Sequence, residues 1–436
     1  MKGEGRVKSN VKVLGLFIFS IFLVLALAAC SGKQGKETSG SKDGKTNLSI
    51  MWWGPNERHE ATLKALEIYS EQNQNIKFTP EYLAWDGFWQ KLPTLAASKT
   101  MTDILQMDGA YIDEYVSKGT LADLSDIDLD GIVDPKIVEN LKIDGKLYGV
   151  PLSHNGSGIA FNRQELESLD ITLPQKDWTW EDYFNFAKES RSKLPEGKYP
   201  ISDSTGSWEW FQFYQTSKGK GPVLEGKNYN IDKDLWFEYQ GIYDQFRKEK
   251  IVPPADVQAA FLENDPQGDP MASGTVMTRS ATVGSVSVLE TLMPGQVEVV
   301  NNPTGPAGGG WAQSTIFLSV SETSKYKEEA KEFVRWFISD MEAGKTLGLT
   351  RGIPINDAIY KELEPNLEDK DKMSRALLDV AIDKALPFYP APAGWSEWVQ
   401  TYETEMEAVM FGQKSYEEAY KVIDELGKST AAKLGN

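Results

Sequence analysis

The sequence predicts an α/β protein built on mostly parallel sheets. Two observations carry this. Short apolar runs such as Leu48–Trp53 and Ile104–Asp108 alternate with stretches whose apolar residues recur at helical spacing, the pattern of βαβ units. The runs also stop at turn residues, as at Gly54-Pro55. A third observation bears on domain number: 436 residues suffice for two domains with separate cores.

In chain order, Leu48–Trp53 reads as a buried strand feeding a helix that carries Leu63, Leu66 and Tyr69. Ile76–Tyr82 is the next strand, Phe88–Ala97 the next helix, and Ile104–Asp108 a strand ending on a carboxylate. Ligands of open α/β sheets bind at the carboxyl ends of strands, so Trp53 and the Asn56–Arg58 turn stand where a site would form. Trp52 is the expected core member of the tryptophan pair. Two extended segments, 146–151 and 158–162, flank Ser153–Ser157, a candidate crossing between domains. The run from Val297 into Asn301-Asn-Pro-Thr-Gly-Pro306 and three glycines is a second. Thr179 with Asp182 makes a capping-box variant in which Trp178 staples onto Tyr183 and is structural. Thr315–Val320 is a strand and Lys327–Ser339 a helix burying Ala330, Phe333, Val334 and Phe337. Trp395, Trp398, Tyr402, Met406 and Val409 mark an amphipathic helix stopped by Gly412, and Ser415–Glu418 caps the last one.

The N-terminus is of another kind. Lys2, Arg6, Lys8 and Lys12 precede an apolar run from Val13 to Leu25, then Leu27-Ala-Ala-Cys30. This is a secretory signal and not a membrane span, and its end resembles the bacterial lipobox, in which the cysteine is diacylated. Residues 1–29 are thus the expected signal peptide, Cys30 the lipidation site, and 30–46, rich in Ser, Gly and Lys, a flexible tether. Cys30 is the only cysteine, so no disulfide forms within the chain. Removing residues 1–29 takes away four positive charges and one negative, moving the formal charge from −18 to −21. So acidic a body argues against nucleic acid as a partner.

Catalytic signatures are scarce. The two histidines, His59 and His154, offer little for a triad or a multi-histidine metal site, and no phosphate loop, dinucleotide fingerprint or Gly-x-Ser-x-Gly occurs. Asp126-x-Asp128-x-Asp130-Gly131 matches half of a calcium loop, but Ile137 stands where the closing glutamate belongs; the segment reads as an acidic surface loop. No metal, no cofactor and no enzyme activity are expected. The stronger signal is aromatic. Of 13 tryptophans, Trp53, Trp85, Trp208, Trp210, Trp311 and Trp395 fall in turns or polar contexts. Indoles stack on the C–H faces of sugar rings while carboxylates, amides and arginines take the hydroxyls. Any single tryptophan fits a core as well as a site; the joint placement points to a sugar-binding cleft.

The ordered series Ser49-Ile-Met-Trp-Trp-Gly54, Thr102–Asp108, Gly119–Ser125, Lys146–Pro151, Ile159–Arg163, Trp178–Asp182, Glu328–Phe333 and Arg351–Pro354 resembles the extracellular solute-binding proteins of carbohydrate ABC importers, the group that includes maltose-binding protein. Trp52-Trp-Gly54, Arg58-His59, Trp85-Asp86 and Gln106-Met-Asp108 are most similar to members importing pectin-derived, rhamnogalacturonan-type oligosaccharides. The chain departs from the pattern at Ala272–Met277, where the usual lysine is absent, and after Asp357.

The resemblance implies a two-lobed periplasmic-binding-protein fold, each lobe a mostly parallel sheet flanked by helices. Residues 47–154 and 301–340 would form the N-lobe, and 155–300 and 341–436 the C-lobe. Trp53, Arg58, Trp85 and Asp108 would line the N-lobe wall, Asn155 and Trp311 the crossings, and Trp210, Arg279, Tyr389 and Trp395 the C-lobe wall. Arg58 and Asp108 would bond hydroxyls and the tryptophans would stack. The implied function is a monomeric lipoprotein on the outer face of the cell membrane. It would close on an oligosaccharide, of plant-cell-wall origin by the pectin likeness, and hand it to ABC permease subunits. The competing readings are an extracellular glycoside hydrolase and a receptor of the same fold for a non-sugar ligand.

Overall fold

The side chains of the first strand point alternately into two cores. In a computed structural model describing residues 45–392 and 394–435, Leu48, Ile50 and Trp52 join one apolar cluster, and Met51 and Trp53 another. That is the signature of a strand covered on both faces, and it accounts for the unbroken apolar run. The expected signal peptide, Cys30 and nearly all of the tether lie outside the described residues.

Among the described residues twelve strands follow in order: β1 Thr46–Trp53, β2 Ile76–Leu83, β3 Ile104–Asp108, β4 Val150–Pro151, β5 Ser153–His154, β6 Ser157–Asn162, β7 Leu224–Glu225, β8 Asn228–Tyr229, β9 Thr278–Thr282, β10 Val297–Asn301, β11 Ile316–Val320 and β12 Ile353–Pro354. The first lobe holds a five-stranded sheet in the order β2-β1-β3-β11-β4. Only β1–β2 and β1–β3 pair in parallel; β11 is antiparallel to both β3 and β4. Helices Asn56–Gln72 and Lys327–Ser339 cover one face through Ala65, Leu66, Tyr69, Phe333 and Phe337. Helix Trp85–Ser98 covers the other through Phe88 and Leu92.

The second lobe is built on β10-β6-β9, and both of its pairings are antiparallel, so the expectation of a mostly parallel sheet does not extend to it. The reason is insertion. Strands β9 and β10 run the same way, joined by helix Val283–Leu292 as in a βαβ unit, and β6 lies between them in the opposite sense. A large aromatic core sits behind this sheet, with Trp180, Trp208, Trp236, Trp395 and Trp398 all buried.

The capping predictions hold. Thr179 and Asp182 exchange both capping bonds, Trp178 meets Tyr183 edge to face at 5.4 Å, and Ser415 and Glu418 cap Tyr416–Gly435. Helix Met341–Leu347 packs against Asn56–Gln72, so the chain after residue 340 stays with the first lobe for a further helix. The tie is non-local: Leu347 joins the first-lobe core beside Phe337.

Candidate functional site: an interlobe cleft

Three stretches of chain pass between the lobes. The first runs through β5 to β6, where Asn155 accepts the Gly156 N–H at 2.9 Å and donates to Thr315 Oγ1 at 3.3 Å. The second is the glycine-rich stretch. Gly308 and Gly310 have φ of 128° and 62°, and a Cβ at Gly309 would collide with the Pro303 carbonyl, so this run must be glycine. It delivers Trp311, whose backbone bonds to Ser157 in both directions. The third crossing, β12 paired antiparallel to β5, was not foreseen; its only trace in the sequence is the Gly352–Pro354 punctuation.

Around these crossings lie three cavities that share lining residues. The largest, about 620 Å³, opens between Gly109–Ser117 and Asn140–Ile143 of the first lobe and Leu224–Lys227 and Pro387–Pro390 of the second. Pro387, Phe388 and Tyr389 also line a 240 Å³ cavity with Trp311. That one shares Glu209, Glu263 and Ser280 with a third, of 340 Å³, lined by Trp210 and Arg279. Helix Trp208–Ser217 explains much of the wall. Ser207 caps it by accepting the Trp210 N–H, and Glu209, Gln212, Phe213 and Thr216, spaced for one helical face, point into the 240 Å³ cavity.

The structure brings together four of the predicted residues here: Trp210, Arg279, Trp311 and Tyr389. Trp311 packs on Phe388 with centroids 4.3 Å apart, and Trp210 stacks on Tyr183. Arg279 is fully enclosed. Its guanidinium reaches Asp269 at 3.1 Å, Glu263 at 3.2 Å, Asn264 at 2.9 Å and the Ser280 carbonyl at 2.9 Å. It therefore organises the wall and is not a free donor.

On the first lobe, Trp53, Arg58, Trp85 and Asp108 gather at the carboxyl ends of β1 to β3. Trp53 is enclosed by Trp85, Phe88 and Trp89 at 4.9–5.5 Å and is only 5% exposed. It is a core residue, like Trp52. Trp85 is the open one, 41% exposed. Arg58 donates to the Thr350 carbonyl at 2.9 Å and the Trp53 carbonyl at 3.0 Å, and burial pushes it down to about 10. It ties the end of β1 to the third crossing. Burial pushes the Asp108 carboxyl up to about 6, against the Ala110 N–H that it accepts. Trp395 has no exposed surface and donates its indole N–H to the Gly226 carbonyl at 2.8 Å; it belongs to the second-lobe core and not to the cleft.

The sequence reading missed Asp113, Glu209, Glu263 and Phe388. Of these only Glu209 left a signal, its helical spacing with Gln212 and Phe213. Elsewhere, Lys331 and Arg335 hold the loop of Asp126 and Asp128, and among the described residues no cluster of carboxylates, histidines or cysteines could hold a metal.

Two lobes, three crossing segments and a cleft lined from both sides define a hinged binding protein. The chain belongs to the bacterial extracellular solute-binding protein family, whose model matches residues 64–375. It is similar to the diacetylchitobiose binding protein of Streptomyces coelicolor, 23% identical over 94% of this chain and 96% of that protein. In structure it resembles an extracellular solute-binding protein of Alicyclobacillus acidocaldarius (TM-score 0.76, 24% identity, 91% of this chain and 100% of that one). It also resembles an oligogalacturonide binding protein of Yersinia enterocolitica (TM-score 0.74, 22% identity, 90% and 100%).

Proposed function

We propose that this protein captures an oligosaccharide between its lobes and delivers it to the permease of an ABC importer. The observation that carries the reading is the row of adjoining cavities from Asp113 past Tyr389 to Arg279, with room for several sugar rings and walled by Trp311, Phe388 and Tyr389 beside carboxylates. The matched Streptomyces protein binds diacetylchitobiose and the matched Yersinia protein an oligogalacturonide, which supports a saccharide of more than one ring. Family members bind and do not cleave, and this chain is read the same way. Residues 47–154, 312–340 and the helix Met341–Leu347 make up the first lobe; 155–311, which keeps Asn301–Trp311 with the second-lobe sheet, and the chain beyond the third crossing make up the second. Rotation about the crossings closes the cleft and presents both lobes to the permease. Diacylation of Cys30 would hold a monomeric protein on the outer face of the membrane.

The test is a thermal-shift panel of pectic, xylan, glucan, galactan and chitin oligosaccharides beside amino acids, peptides and polyamines. A ligand at 100 times its dissociation constant adds about 2.7 kcal/mol of stability. If only non-saccharides shift the melt, or nothing does, the reading fails.

A further inference from the structure

We propose that the cleft selects uncharged oligosaccharides and rejects uronates, with Asp113 and Glu209 setting that preference. This rests on the saccharide reading above and goes beyond it in naming the charge of the ligand.

The argument starts from which lining charges are already satisfied. Three bases line the cavities: Lys142, Lys227 and Arg279. Lys142 is paired with Glu139 at 2.7 Å. Arg279 is enclosed and shared between Asp269 and Glu263, with its terminal nitrogens also on Asn264 and the Ser280 carbonyl, while its buried Nε–H has no partner among the described residues. Lys227, in the turn of the β7–β8 hairpin, makes no ion pair among the described residues, but it shares its cavity with two acids that make none either, Asp113 and Glu225. Arg58, at the first-lobe wall, is committed to the carbonyls of Trp53 and Thr350. No guanidinium is left to make the bidentate bond that a sugar carboxylate needs.

The lining acids differ. Glu114 pairs with Lys118, and Asp203 with Arg247. Asp113 and Glu209 make no ion pair among the described residues. Both are exposed and line the cavities. Besides burial, the charges that act to raise their pKa are of their own sign: Asp144 on Asp113, and Glu403 and Glu263 on Glu209. Asp108 adds a third carboxylate just before Gly109 and Ala110 of the same wall.

An ionised carboxylate accepts hydrogen bonds and donates none. Sugar hydroxyls supply the donors without adding charge. A uronate brings a further negative charge into a space already bounded by unpaired carboxylates, where like charges repel. Asp113 reaches the 620 Å³ cavity and Glu209 both smaller ones, so a ligand that spans the cleft meets one or the other wherever its acid group falls.

The test is calorimetric titration of the protein with length-matched di- to tetrasaccharides of three kinds: neutral galactans, glucans, xylans and chitin oligomers; galacturonides; and the methyl esters of those galacturonides. The expected result is that the tightest ligand is uncharged, with every free uronate at least about tenfold weaker, and that 0.5 M salt narrows the gap. Asp113→Asn combined with Glu209→Gln should also narrow it, chiefly by improving uronate binding. A free uronate as the tightest ligand, or an acid that binds as well as its own methyl ester, overturns the proposal while leaving the saccharide reading intact. Failure of every saccharide to bind overturns both.

Discussion

Arg351 donates its Nε–H to Gln106 Oε1 at 2.9 Å, and both side chains are buried. The guanidinium also reaches Thr62 Oγ1 at 3.0 Å, lies over the Phe337 ring, and makes no ion pair among the described residues. Its Nη1 has no hydrogen-bond partner among the described residues, and burial with Arg58 nearby drives its pKa well below the usual arginine value. Gln106 in turn donates to the Trp53 carbonyl at 3.2 Å. The third crossing is thus bound to the ends of β1 and β3 by a buried cation held only by neutral groups.

Such a cation is costly to leave with fewer partners. Gln106→Leu should destabilise the protein by about 2–4 kcal/mol, whereas Arg351→Met, which removes the charge itself, should cost less. Urea unfolding of the two variants decides this. Arg351→Met as the far worse change would show that the charge stabilises the fold.

Asp108 should make stability depend on pH. Its pKa lies near 6 in the folded chain, above the ordinary 3.8, so as pH rises the unfolded chain loses this proton first. Its contribution to stability therefore falls between about pH 4 and pH 6 and stays low above that. Asp108→Asn, which can still accept the Ala110 N–H, should raise stability by about 1–2 kcal/mol at pH 7.5 and hardly at all at pH 4. Melting curves at the two pH values check the sign. Affinity for ligand should fall in the same variant if this carboxylate accepts hydroxyl donors.

Trp53 and Trp85 touch, yet they should respond differently to truncation. Trp53→Ala empties a buried site and should cost about 3–5 kcal/mol. Trp85→Ala removes a 41% exposed ring and should cost under about 1.5 kcal/mol while weakening ligand binding. Denaturation and titration of both variants separate the roles. An unchanged affinity in Trp85→Ala would remove that ring from the site.

Arg279 should behave as part of the frame. Arg279→Met strands Asp269, which has no exposed surface, and should destabilise by about 3–5 kcal/mol. A variant that keeps its stability but loses ligand would instead make Arg279 a direct contact.

Much of this molecule was legible in its sequence because the relevant physics is local. Alternation and helical spacing located β1 to β3 and the helices after them, and Thr179–Asp182 and Ser415–Glu418 announced their caps through contacts three residues apart. Turn context singled out Trp311 and the family resemblance Tyr389, and both line one cavity. The remainder depends on partners far along the chain. β11 enters the first sheet antiparallel from more than 150 residues beyond β4, and β6 enters the second between β9 and β10; no local pattern encodes an insertion. Whether a tryptophan is covered depends on what folds back over it. Trp53 lost its exposure to Trp85, Phe88 and Trp89, and Trp395 lost its own to the second-lobe core. The sequence alone thus determined the class of fold, the acidic charge and the aromatic character of the site. Tertiary structure decided which carboxylates face the cleft unpaired and which arginines are already spent, because pairing is settled only when distant segments pack together.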